Sequence, residues 1–191
     1  MYFENLLLER CREIINTWTE KDIYAISFML YPNANENVGG FGNFPEFSVG
    51  YNTESYCEYA PKLSEERWNY AFWLQNNTTI ISSQDKTISQ NLIEWYRENK
   101  IGNLGVISDD EYDADMKYIG KGPGGYYELL MLISEIAKKL QSDGTIKGKF
   151  GNIPVIVHDL EYAWYSKIAT AKANPNGEAD EFIATYEQFF E

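Results

Sequence analysis

The sequence predicts an α+β domain, a mostly antiparallel sheet flanked by helices, and three observations predict it. Apolar residues recur at helical spacing in several stretches, and short runs rich in branched and aromatic residues stand between them. The 191-residue chain also shows no repeat or low-complexity tract that would divide it, so one domain over 1–191 is expected. A chain of this length buries about 70% of the surface its unfolded form exposes, which is enough for a core without disulfides or metals.

The elements follow in order. A first helix is expected over about 4–19, where Leu7, Cys11, Ile14, Ile15 and Trp18 form one stripe. Residues 23–31 are a near-continuous apolar run, as in a central strand covered on both faces. Residues 32–46 hold two prolines, four asparagines and the Gly39-Gly40 and Gly42-Asn43 pairs, so they read as a loop before a strand at 47–52. Ser64-Glu65-Glu66 reads as a helix start, which would put Trp68, Ala71, Phe72 and Gln75 on one face, with a strand over 68–74 as the alternative. A short strand at 78–82 precedes a helix over 87–99 that buries Ile88, Leu92, Trp95 and Tyr96.

Leu104 to Ile107 is another short apolar piece. Ser108-Asp109-Asp110-Glu111 has the pattern of a capping box, from which Tyr112, Met116 and Ile119 would continue as a helix. Gly120 to Gly125 breaks that helix, and the strongest helical pattern in the chain follows over 126–141. A β-branched strand at 153–158 contains Pro154, which suits a sheet edge or a strand start. Two closing helices are expected, one with Leu160, Trp164, Ile168 and Ala171 on its stripe and one with Phe182, Ile183, Tyr186 and Phe189, joined by the turn Asn174-Pro175-Asn176-Gly177.

Charge and composition limit function. There are 29 acids against 16 bases, a formal charge of -13, and neither half of the chain is basic: 14 acids and 8 bases lie up to Lys100, 15 and 8 beyond it. Nucleic acids and anionic membranes are therefore excluded as partners, since both require clustered lysine and arginine. A basic protein partner would be steered in, with an attraction that fades in salt. No signal-peptide pattern and no run of about 20 apolar residues is present, so the cytoplasm is the expected location. One histidine, His158, and two cysteines leave few candidates for base, nucleophile or transition-metal ligand, and no cofactor or metal is expected. Cys11 and Cys57 read as reduced thiols.

Four constellations bear on function. Asp109, Asp110, Glu111, Asp113 and Asp115 fall within seven residues, as a solvated helix start, a face for a basic partner, or a cation site. A calcium loop of the EF-hand kind fails there, because Ala114 stands where glycine is required and Gly120 where a bidentate glutamate is required. Gly120 to Gly125 before a helix resembles an anion-binding lead-in but lacks a nucleotide-loop pattern and reads as a turn. His158, beside Asp159, is either half of an acid–base pair or a strand-end imidazole packed on Trp164 or bonded to backbone. Trp68, Tyr70, Phe72 and Trp73, preceded by Arg67, are core, a recognition face or a sugar-stacking platform. Arg67, Trp68, Trp73, Asp109, Asp110, Glu111 and Asp113 are thus the candidate partner-binding residues. The competing reading is a metal- or small-ligand-binding enzyme that uses the carboxylates near Asp109, in a groove against Gly39 to Gly42, and His158.

The order of these pieces resembles the bacterial domain-of-unknown-function family numbered 4303. The likeness rests on Tyr24-Ala25-Ile26-Ser27-Phe28, on Arg67-Trp68 followed by Trp73, and on Ala171-Lys172-Ala173-Asn174-Pro175 after a late apolar strand. The segment Leu74-Gln75-Asn76-Asn77 departs from the shorter aromatic and glycine-bearing turn expected there. The resemblance implies an α+β fold and no established activity, and for some relatives a place among toxin-neutralising immunity proteins.

Overall fold

A central strand with apolar side chains on both faces organises the molecule. The computed structural model describes residues 2–159 and 162–189. The strand β1 (Ile23–Val38) pairs with β2 (Phe41–Thr53), which pairs with β3 (Thr78–Ile81), while β4 (Val155–His158) lies on the other side of β1, giving the order β3-β2-β1-β4. The fold is α+β. The sheet is mixed rather than mostly antiparallel, because β4 returns to β1 through a long helical crossover and pairs with it parallel. Ile26, Phe28 and Leu30 of β1 and Val155 and Val157 of β4 enter the larger core cluster, whereas Tyr24, Ala25 and Ile156 face a second, smaller one.

Residues 32–46 are not a loop but the outer half of a long hairpin. Gly39 and Gly40 have φ of 62° and 88°, the left-handed pair that a two-residue turn needs for its twist to match the strands. Pro32 lies opposite Pro45. Ile26 N donates to Pro154 O while its partner Tyr51 donates to Asn76 Oδ1, so the amides of this pair point away from each other. Six residues further in unbroken register, the two prolines occupy the same phase, where each missing donor points away from the β1–β2 ladder, beyond the stretches paired with β4 and β3, and no ladder bond is lost.

The free edge of β4 is closed by side chains instead of a fifth strand. In α6 (Trp164–Ala173), Thr170 Oγ1 accepts from Val157 N at 2.9 Å and donates to Val157 O at 3.0 Å. Asn174 Oδ1 accepts from Val155 N at 2.9 Å, and its Nδ2 donates to Val155 O at 2.7 Å. Gln141 Nε2 adds a bond to Asn174 Oδ1 at 3.1 Å. These side chains occupy the ladder positions a neighbouring strand would take, and so remove a template for edge-to-edge association. The buried face of α6 is therefore Tyr165, Ser166, Ala169, Thr170 and Ala173, one residue out of phase with the expected stripe. Trp164 and Ile168 are exposed, and Leu160 lies outside the described residues.

The other helices pack as their patterns require. The helix α1 (Tyr2–Thr17) buries Phe3, Leu7, Cys11 and Ile15, α3 (Lys86–Glu98) buries Ile88, Leu92, Trp95 and Tyr96, and α4 (Tyr126–Ser142) buries its whole leucine and isoleucine face. Asp85 caps α3: its Oδ1 accepts from Thr87 N and Ile88 N, each at 3.0 Å, an arrangement worth about 1 kcal/mol. Its Oδ2 accepts from Arg10 at 3.1 Å, which ties α1 to α3. A short α5 (Lys147–Phe150) leads into β4, and α7 (Asp180–Phe189) brings Phe182 and Tyr186 to the second cluster.

The aromatic block forms only a four-residue helix, α2 (Glu65–Trp68), and a separate 3-10 turn, Tyr70–Phe72. Asn69 makes the break, since its Oδ1 accepts from Ala71 N at 3.0 Å in competition with the helix. Cys11 and Cys57 are both free, the first fully buried and the second half-buried.

Candidate protein-docking site

Trp68 and Trp73 belong to the second core cluster, and Arg67 is buried against its Tyr24, so all three lie beneath the surface. Arg67, Trp68 and Trp73 are 6%, 2% and 2% exposed. Burial is enforced by polar anchors: Trp68 Nε1 donates to Lys62 O at 2.6 Å and Trp73 Nε1 to Arg67 O at 2.8 Å. The Arg67 guanidinium donates to both carboxylate oxygens of Glu54, at 2.9 and 2.6 Å, and lies 4.0 Å from the centre of the Tyr24 ring. Tyr24 in turn donates to Arg67 O at 2.5 Å and accepts from Asn52 at 2.9 Å. The segment around Tyr24 and the arginine–tryptophan pair thus meet in one structural knot.

The carboxylates at 109–115 have a different fate. No helix continues from Ser108. The Glu111 carboxylate accepts from Ser108 N at 2.9 Å, as a capping box provides, but only the 3-10 turn Asp109–Glu111 forms. Asp113 diverts the chain: its Oδ1 accepts from Asp115 N and Lys117 N, each at 2.9 Å, and its own amide donates to Lys117 O. Tyr112 then pairs with Tyr118 across a small antiparallel bridge, with Met116 at φ 63° in the turn. Ile119 N closes the base on Glu111 O at 2.8 Å.

This excursion, residues 106–119, is pinned at its root. Gly105 N donates to Gly124 O and Gly124 N to Val106 O, each at 2.9 Å, and Asn43 Nδ2 donates to Gly105 O at 2.6 Å. Gly105 has φ 72°, and a Cβ there would lie 1.6 Å from Gly42 O, so only glycine lets the hairpin tip and the excursion touch. The Gly39 to Gly42 segment consequently packs against the excursion's root instead of walling a groove beside Asp109. The cleft that does border Asp109, about 810 Å³, lies against Gly122 to Gly125 and the start of α4 and carries charges of both signs, Lys100 and Lys121 beside Asp109, Glu111 and Glu128.

What the excursion shows to solvent is an alternation of carboxylates and uncovered apolar side chains. Asp109, Asp110 and Asp115 are exposed and make no side-chain bond among the described residues; Glu111 and Asp113 are half-buried and shape the loop. Met116 is 75% exposed, and Val106, Ile107, Tyr112 and Ile119 are exposed with it. Sequence periodicity continues Tyr112, Met116 and Ile119 as a helix, and the divergence at Asp113 puts them in a solvent-exposed loop instead.

His158 takes no part in this surface. It is buried against Tyr162, stacked at 11° with ring centres 5.5 Å apart, and against Tyr70 at 4.9 Å. Its Nδ1 lies 3.0 Å from Asp159 O, which can only accept, so that nitrogen carries the proton and the Ser27 hydroxyl donates to Nε2 at 2.8 Å. Burial pushes the imidazole down to about 4, and it is neutral near pH 7. A serine donating to a histidine is the start of a nucleophilic pair, and here Ser27 is wholly buried in the central strand. The imidazole does not pack on Trp164, which lies against Tyr127 and Tyr165. Among the described residues, no group of three or more His, Cys, Asp or Glu side chains is placed to hold a metal ion.

Comparisons with protein-family models, curated proteins and solved structures gave no match.

Proposed function

We propose that the chain is a non-enzymatic binding module that docks a basic protein on the 106–119 excursion. The observation that carries this reading is the excursion itself: a loop held by its own hydrogen bonds that sets five exposed apolar side chains among carboxylates. Apolar anchors ringed by charge are the makings of an interface, and a loop already in shape loses little freedom on binding. Five acids against the single Lys117 in this segment, on a chain of charge -13, specify the sign of the partner. Neutralisation of a toxin is the sharpest version, and the family resemblance supports it together with a cytoplasmic location. No helix among the described residues is long and apolar enough to cross a membrane.

Capture from native lysate tests the reading when wild type is compared with Asp109→Asn/Asp110→Asn/Met116→Ser, whose altered side chains are all exposed. A stoichiometric basic protein retained by wild type in low salt, and released by the variant or by about 0.5 M salt, is expected. Recovery of no such protein, or equal retention by the variant, contradicts it.

A further inference from the structure

A second cleft, about 530 Å³, opens beside the turn that follows β2. Tyr56 and Phe72 line it with about half of each side chain uncovered, at 52% and 50%. Glu58 and Glu66 line it as well, both exposed, and among the described residues no lysine or arginine does. Ser64 contributes a buried Oγ that has no hydrogen-bond partner among the described residues.

The wall of this cleft is built to keep its shape. Glu58 and Tyr59 have φ of 51° and 55°, a left-handed pair that side chains ordinarily avoid. Tyr59 N donates to Glu54 O at 3.0 Å and Ala60 N to Cys57 O at 2.9 Å. Arg67 locks the turn from inside, holding the Glu54 carboxylate and reaching Ala60 O at 3.4 Å. The turn that carries Tyr56 and Glu58 is thus held before anything binds, and Phe72 and Glu66 line the same opening.

That chemistry selects a cation with an apolar stem. Carboxylates repel an anion, and a neutral apolar ligand would use the rings but leave the charges idle. A guanidinium stacks on aromatic faces, offers several donors in a plane, and brings a methylene stem to cover the ring edges. We infer that this cleft receives an arginine side chain presented by a protein partner. The inference shares with the docking reading a basic protein as partner, while none of its residues belongs to the excursion.

The test is a nitrogen-15 NMR titration with N-acetyl-arginine amide as the probe and N-acetyl-norleucine amide as its uncharged counterpart. Saturable shifts are expected at the amides of Tyr56, Glu58, Ser64, Glu66 and Phe72, with an affinity in the millimolar range for one side chain. The Glu58→Gln/Glu66→Gln variant, altered only at exposed positions, should weaken the probe about tenfold. Asp109→Asn/Asp110→Asn should leave it unchanged, which separates this site from the excursion. Absence of shifts at about 50 mM probe, or equal binding of the norleucine amide, overturns the inference.

Discussion

His158 shows how a residue type that suggests chemistry can be claimed by the fold. Its neutral ring bridges Ser27 and the Asp159 carbonyl inside an aromatic box, and charging it there would break the bond from Ser27 and bury an ion. The unfolded chain, with an ordinary histidine near 6.5, takes up a proton first as pH falls. Stability from this group is complete above about 6.5, declines as pH falls, and is lost by about 4, a change on the order of 3 kcal/mol. Urea denaturation of wild type and His158→Gln between pH 7.5 and 4.5 should show the wild type losing more stability over that window; parallel curves would contradict the assignment. The chain order revealed the histidine and its strand, but its tautomer and partners depend on β1 and on Tyr70 and Tyr162, distant in sequence. The same is true of Arg67, Trp68 and Trp73: composition marks them as strong contacts, while only the bond from Trp73 to Arg67 O and the Glu54 pair decide that the contacts are internal.

Elements with one apolar stripe and a clean boundary were legible, as in α1, α3 and α4, because helical period and burial agree there. Elements that depend on long-range partners were not. Residues 32–46 carry the composition of a loop, yet Gly39-Gly40 makes the tight turn of a hairpin and the two prolines fall where no ladder donor is needed. The expected helix after Ser108 ends within one turn because Asp113 satisfies two amides locally. In α6 the buried face follows the polar needs of β4, so Thr170 and Asn174 turn inward while Trp164 and Ile168 turn out. Asn174→Ala would leave Val155 N and O and Gln141 short of partners in a buried setting. A loss of about 3 kcal/mol in chemical denaturation is expected, with increased self-association through the exposed β4 edge. A loss under about 0.5 kcal/mol would show that the edge does not need this cover.

At the scale of the whole molecule, acids outnumber the bases that pair with them. Arg12 serves Glu9 and Asp143, Lys62 serves Glu181, and Lys172 serves Glu135, in exposed pairs that each add little stability. The remaining carboxylates leave a field that attracts positive charge, and the excursion adds apolar anchors that field alone lacks. The excess of acid was plain in the sequence. Of the proposed docking face, Asp109 and Asp110 were already candidates in the sequence, while its apolar members emerge only because the helix fails to form. Hydrogen–deuterium exchange on the protein bound to the basic protein captured from lysate probes this proposed face most directly. Slowed exchange concentrated in residues 106–119, with the sheet and α4 unchanged, is the expected result. Protection that spares the excursion and falls elsewhere on the surface would contradict it.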